Sequence, residues 1–291
     1  MNLGFVGLGA MGLPIARNLL KTSNPVAVYN RTPGRAEPLR GDGARFATSV
    51  ADASRADVVF TMLADDAAEE ATVFGEDGML GALPAGGIHV SLSTIGTALS
   101  RRLAEAHAAR RQGYVAAPVF GRPDAAEARQ LVVVAAGSPE AVERVRPLLE
   151  AIGRKLFVLG SEPAAANTVK LAGNFLIASA IETMGEAFAL LRKSSVEPEL
   201  FMEIVNDNLF KSPLLKRYGD IIAQERFDPP GFRLRLGLKD VRLALDAAAE
   251  RGVPMPLATL VREQFEAAVA AGMEDWDWSA LARLAAQRAG L

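Results

Sequence analysis

The chain has 291 residues, half of them hydrophobic and 23% charged, which is long enough for about two domains with apolar cores. Its 32 basic residues nearly balance its 34 acidic residues, so no basic field points to nucleic acid or to an anionic membrane. No cysteine and only two histidines, His89 and His107, are present, which excludes disulfides, thiolate chemistry, iron–sulfur clusters and cysteine-type or multi-histidine metal sites.

Residues 1–161 alternate short apolar runs with amphipathic stretches. The apolar runs have the continuous, largely β-branched character of strands buried on both faces of a sheet. They cover residues 3–6, 26–29, 58–62, 88–92, 114–116, 131–135 and 156–159. Strand–helix alternation of this kind predicts an α/β domain with a Rossmann-type, doubly wound, mostly parallel sheet.

Residues 162–291 lose the strand signal, so we predict an all-helical C-terminal domain with its boundary at 161/162. Turn sequences rich in proline and glycine separate five predicted helices, at residues 164–191, 198–208, 239–251, 257–271 and 278–289. The first is more apolar than one small domain needs. Part of it is therefore expected at a homodimer or homotetramer interface, with burial inside the chain as the alternative.

No targeting or membrane segment is expected. The N-terminal apolar run lacks a basic region and is broken by glycine, so it is not a signal peptide. Lys170, Glu182 and Glu186 interrupt the long apolar stretch, which leaves too short a run to span a bilayer. We expect a cytoplasmic protein with neither a membrane nor a nucleic acid as partner.

The first predicted strand leads directly into a G-x-G-x-x-G turn that opens a helix. The first glycine permits a tight turn, the second lets a pyrophosphate approach the backbone, and the third lets helix and strand pack closely. Backbone N–H groups at the helix start favour a phosphate, although an ordinary glycine turn is the alternative. The residues predicted to bind the dinucleotide here are Gly7, Leu8, Gly9, Ala10, Met11 and Gly12.

The end of the second strand favours NADP(H) over NAD(H). An NAD site carries an aspartate or glutamate at this point, to accept from the ribose hydroxyl. This chain instead has Asn30, Arg31 and Thr32, followed by Arg35. The arginines would pair with a 2′-phosphate while Asn30 and Thr32 hydrogen-bond to it. The alternative is a solvated surface arginine before a turn.

Lys170 stands in an otherwise apolar helix, four residues before Asn174, so the two share one helix face. Burying an unpaired ammonium is expensive, so Lys170 needs a partner such as an anionic substrate or a developing alkoxide. The pattern makes Lys170 a candidate general acid–base. The alternative is a lysine whose stem carries its ammonium to solvent.

Five segments occur together in one order: residues 5–12, 93–95 (Ser-Thr-Ile) and 117–119 (Ala-Pro-Val), Lys170-x-x-x-Asn174, and Lys239-Asp240. In these segments the chain resembles the β-hydroxyacid dehydrogenases, a family that includes 3-hydroxyisobutyrate dehydrogenases and glyoxylate/succinic semialdehyde reductases. The resemblance spans nearly the whole chain. It implies nicotinamide-dependent hydride transfer between a small hydroxy acid and its semialdehyde or keto acid, which together with the residues after the second strand predicts an NADP(H)-dependent enzyme.

The resemblance also implies residue roles. Lys170 would protonate the alkoxide during reduction, and Asn174 would orient the same oxygen. Further residues would lie along the cofactor, namely Met62, Leu63, Thr94 and Lys239, while Ser93 and Asp240 would serve the substrate. From the residues alone, Lys239-Asp240 is also an ordinary charged start of a helix.

The substrate loop departs from the family pattern Asp-Ala-Pro-Val-Ser-Gly-Gly. Here it ends in Phe120, Gly121 and Arg122, which we assign to the substrate site. The serine hydroxyl is replaced by a ring, which predicts a differently shaped, more apolar pocket. Arg122 would either grip a carboxylate bidentately or point to solvent.

Two other hypotheses for the function remain open from the sequence. Imine reductases share this architecture but commonly replace the lysine, and a catalytically silent cofactor-binding scaffold would keep the fold without the chemistry. A histidine-based dehydrogenase is disfavoured, because His89 and His107 lack an acidic partner at a motif spacing. Both histidines are therefore expected to be structural or exposed.

Overall fold

A computed structural model describes all 291 residues and contains two compact units, Met1–Lys170 and Leu171–Leu291. The boundary expected at 161/162 lies just before a long helix that begins at Pro163 and ends at Lys193. The two compact units divide inside that helix rather than before it.

The first unit is built on a nine-stranded sheet. Its strands are β1 (Leu3–Val6), β2 (Val26–Tyr29), β3 (Arg45–Phe46), β4 (Val58–Thr61), β5 (Ile88–Ser91), β6 (Gly113–Ala116), β7 (Val119–Phe120), β8 (Leu131–Gly137) and β9 (Gly153–Val158). The expected Rossmann-type sheet is confirmed. Two strands were not foreseen, β3 and β7, because two residues are too few to show a periodic pattern.

The strand order is β3-β2-β1-β4-β5-β6-β8-β7, with β9 paired to β8. Strands β1 to β6 are mutually parallel, whereas β8 runs antiparallel to β6 and β7. The chain builds outward from β1 through β2 and β3, then returns to β4 on the other side. The order therefore reverses between β1 and β4, the place where open α/β sheets bind ligands.

Seven α-helices accompany this sheet. They are α1 (Gly12–Leu20), α2 (Val50–Ser54), α3 (Asp66–Phe74), α4 (Met79–Ala82), α5 (Thr97–Ala109), α6 (Pro123–Glu127) and α7 (Pro139–Ile152). The core between helices and sheet is apolar, with Phe5 and Phe60 stacked at 6.2 Å between neighbouring strands β1 and β4. Burial of both sheet faces explains why the strands read as unbroken apolar runs.

The rest of the chain is helical, which confirms the expected all-α region. Its helices are α8 (Pro163–Lys193), α9 (Pro198–Ile204), α10 (Pro213–Ala223), α11 (Leu234–Glu250), α12 (Pro256–Ala270) and α13 (Leu281–Arg288). α10 was not foreseen. A π-helical turn, Val205–Leu209, continues α9.

α11 begins at Leu234, so Lys239 and Asp240 do not open a helix, contrary to the expectation from sequence. The segment before α11 is held by a residue far along the chain. The Asp277 carboxylate accepts hydrogen bonds from the backbone N–H groups of Gly231 and Phe232, at 2.9 and 3.1 Å. This tertiary contact sets the helix start, and no local pattern reports it.

Contrary to the expectation of too short an apolar run, α8 is long and apolar enough to cross a membrane by length and composition alone, a property that buried core helices share. In the second unit its residues Ile181 and Phe188 are fully buried in the apolar core. Leu176 and Leu190 on the same helix are 67% and 69% exposed. These two side chains suit the expected subunit interface, which stays a prediction.

Glu182 on α8 gives the second unit a pH-dependent stability. Burial raises the pKa of Glu182 to about 7, the neighbouring charge of Glu186 adds to the rise, and Arg288 opposes it. The unfolded carboxyl keeps its ordinary pKa of 4.5, so the folded state loses stability as the pH rises from there to about 7. Glu182→Gln is therefore expected to stabilise the protein at pH 8 by about 1–3 kcal/mol more than at pH 4.

Urea unfolding of both proteins at the two pH values measures this difference. Glu203→Gln, at an exposed position of α9, is the matched control and is expected to show no such pH dependence. A Glu182→Gln effect of equal size at both pH values would contradict the raised pKa.

Candidate active site

The glycines of the turn after β1 differ in how much space a side chain would have at each position. Gly7 has φ +101°, and a Cβ there would lie 2.4 Å from the Met62 carbonyl oxygen. A Cβ on Gly12 would lie 1.9 Å from the Gly7 carbonyl oxygen. Gly9, by contrast, has nothing within 4 Å of the corresponding position. Glycine is therefore required at 7 and 12 by the protein itself, and at 9 it leaves a space that a phosphate can enter.

The crevice between β1 and β4 is bordered by the loops that follow these strands. Met62 donates its backbone N–H to the Val6 carbonyl at 3.0 Å, which continues the β1–β4 pairing into the loop. Leu63 donates its N–H to the Ser93 hydroxyl at 2.8 Å, and half-buried Thr94 follows in the same loop after β5. Met62, Leu63 and Thr94 thus lie at the carboxyl edge of β4 and β5, next to β1, whereas Lys239 lies on α11 in the second unit.

Asn30 and the two nearby arginines take different places. The Asn30 amide accepts from the Leu8 N–H and donates to the Thr32 carbonyl, both at 2.9 Å, so it ties the glycine turn to the end of β2. Within the chain, the Asn30 amide therefore holds the glycine turn in place. Arg31 and Arg35 are exposed and form no ion pair, which leaves both guanidinium groups able to meet an anion.

Lys170 lies against the ring that replaces the family's serine. The residue is 9% exposed, and its Nζ is 4.3 Å from the centroid of the Phe120 ring. A cation this close to a ring face is attracted by the ring quadrupole. The alternative in which the stem carries the ammonium into solvent does not describe this geometry.

The rest of the substrate loop is fixed by packing. Gly121 has φ +140°, and a Cβ there would lie 2.5 Å from Leu131 Cδ2, so any other residue would be strained at this position. Arg122 follows as the residue before α6; it is half-buried, with its Nη1 atom buried, and does not simply extend into solvent. The loop therefore presents a ring, a glycine and a partly buried guanidinium in succession.

In the second unit, Asn174 is held by a buried carboxylate. Asn174 donates its amide N–H to Asp240 Oδ2, while Lys239 Nζ lies 3.0 Å from Asp240 Oδ1. Asp240 is 1% exposed. Its carboxylate thus fixes the plane of the Asn174 amide.

Sequence reasoning missed Asn167, which lies one turn before Lys170 on the same face of α8. Asn167 is 1% exposed, and neither its Oδ1 nor its Nδ2 has a hydrogen-bond partner within the chain. An unsatisfied buried amide is costly. The feature of the sequence that could have identified Asn167 is a single asparagine next to an alanine-rich stretch.

Both histidines are fully buried, and His89 has an acidic partner that lies far from it in the sequence. His89 Nε2 lies 3.4 Å from Glu69 Oε1. Glu69 is on α3 and His89 is on β5, so no motif spacing connects them. The sequence left structural and exposed positions open, and the burial of both side chains excludes the exposed alternative.

Two family models match this chain. Residues 2–160 match the family model described as the NAD binding domain of 6-phosphogluconate dehydrogenase. Residues 164–285 match the model described as NAD-binding of NADP-dependent 3-hydroxyisobutyrate dehydrogenase. The two models together cover nearly the whole chain. The chain belongs to the β-hydroxyacid dehydrogenase family.

Similar members of this dehydrogenase family match end to end. An uncharacterized oxidoreductase, YfjR of Bacillus subtilis, is 44% identical over 97% of this chain and 98% of its own length. Glyoxylate/succinic semialdehyde reductase 1 of Arabidopsis thaliana is 32% identical over 97% of both chains. The crystal structure of 3-hydroxyisobutyrate dehydrogenase from Salmonella typhimurium gives a TM-score of 0.88 at 26% identity, over 98% of this chain and 99% of that one.

Membership of the dehydrogenase family makes this chain an NAD(P)-dependent oxidoreductase. The cofactor fits what the first unit offers, because the space at Gly9 adjoins the start of α1, whose N-cap residue Met11 makes no side-chain cap. Backbone N–H groups at such a helix start attract a pyrophosphate. The residues that would hold the dinucleotide are the turn at 7–12 and the loops after β2, β4 and β5.

Proposed function

We propose that this protein is an NADP(H)-dependent reductase that interconverts a small β-hydroxyacid, or a similar hydroxy acid, and its semialdehyde or keto acid. The observation that carries the proposal is the buried Lys170 amine against Phe120. Burying an ammonium is costly, so a buried lysine amine is a candidate to interact with an oxygen or an anion during the reaction. Family membership supplies the reaction class.

In this proposal Lys170 is the general acid–base. A bound reduced nicotinamide supplies the hydride that converts the substrate carbonyl to an alkoxide. Lys170 Nζ donates a proton to that oxygen, giving the alcohol, and is reprotonated from water. In the oxidation direction the neutral amine removes the same proton. Asn174, oriented by Asp240, directs its amide at the oxygen and fixes its position.

The substrate loop supports a carboxylate-bearing substrate with an apolar wall. Arg122, half-buried, is suited to pair with a carboxylate in place of the family's Ser-Gly-Gly backbone. Phe120 removes a hydroxyl and places an aromatic face beside the reacting amine. The name of the Arabidopsis relative, a glyoxylate/succinic semialdehyde reductase, agrees with a short aldehyde acid.

NADP(H) is favoured by the exposed arginines after β2 and by the family model described as NADP-dependent. Arg31→Ala is expected to weaken NADPH binding about 10- to 100-fold, because hydrogen bonds to a charged group contribute about 1.5–3 kcal/mol. NADH binding should change little, since NADH lacks the 2′-phosphate. Calorimetric titration with both dinucleotides measures the effect.

Arg55→Ala, at an exposed position after α2, is the matched control for loss of one surface charge. It is expected to leave both affinities unchanged. Equal loss of NADPH and NADH affinity in Arg31→Ala would contradict a role in reading the 2′-phosphate.

The proposed reaction is tested by steady-state NADPH oxidation with glyoxylate, succinic semialdehyde, tartronate semialdehyde and methylmalonate semialdehyde. We expect turnover of at least one of the four. Turnover of a cyclic imine with none of these acids would assign an imine reductase instead. No turnover of either class, with cofactor binding intact, would assign a silent scaffold.

A further inference from the structure

A chain of buried polar side chains runs through the first unit beside the nucleotide crevice. It connects Glu69 on α3, Thr61 at the end of β4, His89 on β5, His107 on α5 and Gln112 before β6. The first four are fully buried. Neither the glycine turn nor the proposed acid–base step uses any of them.

At the Gln112 end of this chain of side chains, the Gln112 amide fixes the hydrogen-bond directions. Its Nε2 donates to the carbonyl oxygens of Leu83 and Leu80, at 2.5 and 3.2 Å, so its Oε1 accepts from His107 Nδ1 at 2.8 Å. Burial and the neighbouring charge of His89 lower the pKa of His107 to about 3, so His107 is neutral. Its Nε2 therefore accepts, and His89 Nδ1 is the donor at 3.0 Å.

At the Glu69 end, the second ring nitrogen of His89, Nε2, lies beside the Glu69 carboxylate. His89 Nε2 is 3.0 Å from Thr61 Oγ1 and 3.4 Å from Glu69 Oε1, and Thr61 donates its hydroxyl to that carboxylate oxygen at 2.5 Å. Burial favours the protonated acid, but the hydrogen bond and charge of His89, with the Thr61 and Ser93 hydroxyls, hold the pKa of Glu69 below its ordinary value. Glu69 is thus a buried carboxylate that only accepts.

The carboxylate reaches the crevice through one serine. Ser93 donates to Glu69 Oε2 at 2.8 Å, and its oxygen accepts from the Leu63 N–H at 2.8 Å. Leu63 Cδ2 lies 2.9 Å from where a Cβ on Gly7 would be, so this residue touches the glycine turn. The link therefore runs from Glu69 to the wall of the crevice in two hydrogen bonds.

We propose that Glu69 is a positioning residue for the dinucleotide, holding Ser93 so that Leu63 keeps its place beside the glycine turn. A carboxylate is required because Thr61 and Ser93 both donate to it. A glutamine would offer one acceptor and one donor, and would turn one hydroxyl away from its present direction. The inference rests on the proposed dinucleotide crevice, but not on the choice of NADP(H) over NAD(H) or on the substrate.

The test compares Glu69→Gln, Ser93→Ala and the double variant by calorimetric titration with NADPH and with NADH. Each single change breaks the hydrogen-bonded path from Glu69 through Ser93 to Leu63. Each is therefore expected to lower the affinity for the preferred dinucleotide about tenfold. The double variant is expected to bind like either single variant, because coupled residues are not additive. In Glu69→Gln, the KM for the cofactor should rise while kcat at saturating cofactor stays close to that of the wild type.

Ser93→Ala leaves the Glu69–Thr61–His89 contacts in place, so it reports on the link even where Glu69→Gln folds poorly. Glu70→Gln is the matched control, because Glu70 is the next residue of α3 and forms only an exposed ion pair with Arg102. It is expected to bind both dinucleotides as the wild type does.

Wild-type affinity in folded Glu69→Gln and Ser93→Ala would overturn the inference, as would losses that multiply to about a hundredfold in the double variant. Either result leaves the proposed function standing, because the wild-type protein still binds. A wild-type protein that binds neither dinucleotide contradicts the proposed function, and with it this role for Glu69.

Discussion

Replacing Lys170 with methionine is expected to lower kcat about 10²- to 10⁴-fold, the usual contribution of a positioned general acid. Methionine keeps the length and apolar stem that pack beside Phe120 but removes the only proton donor proposed for the alkoxide. Cofactor affinity should be unchanged, since the nucleotide is held by the glycine turn. NADPH oxidation with the best semialdehyde and calorimetric titration separate the two effects.

Lys170→Arg sharpens the test, because a guanidinium keeps the positive charge but does not release its proton at neutral pH. We expect it to be nearly as inactive as the methionine variant. Lys216→Met is the control, since Lys216 lies on α10 in an exposed pair with Asp220. Near-normal turnover in Lys170→Met would show that the proton comes from another group, and substantial activity in Lys170→Arg alone would assign Lys170 an electrostatic role.

Gly9→Ala is expected to weaken dinucleotide binding without unfolding the protein. Nothing lies within 4 Å of a Cβ at this position, so the added methyl group meets no protein atom. It would occupy the space through which a pyrophosphate approaches the backbone. Loss of even one hydrogen bond to a charged phosphate, about 1.5–3 kcal/mol, predicts an affinity lower by about 10- to 100-fold.

Two other glycines separate binding from folding. Gly12→Ala would place its Cβ 1.9 Å from the Gly7 carbonyl oxygen and is expected to lower the thermal midpoint itself. Gly41→Ala, also with nothing within 4 Å but outside the glycine turn, should change neither property. Wild-type NADPH affinity in a folded Gly9→Ala protein would show that no phosphate lies against Gly9.

The substrate loop shows how a family resemblance and a tertiary contact complement each other. The sequence showed that Phe120 replaces a serine and predicted a more apolar pocket. It did not show that the ring would lie on the Lys170 amine, because the two residues are separated by fifty positions. Arg122 was equally undecided from sequence, and its partial burial reflects how the loop enters α6.

The sequence by itself determined the sheet of the first unit, the helical character of the second and the glycine turn, because these depend on local chemistry. Strand runs have a short period, helices repeat every three to four residues, and only glycine adopts the φ of Gly7 without strain.

Tertiary structure alone decided which polar groups meet. Thr61 meets His89 because β4 and β5 are neighbours in the sheet, Asn30 accepts from Leu8 because β2 lies beside β1, and Asp240 holds Asn174 across 66 positions. Each of these contacts depends on strand order or helix packing, which no periodic pattern in the sequence encodes.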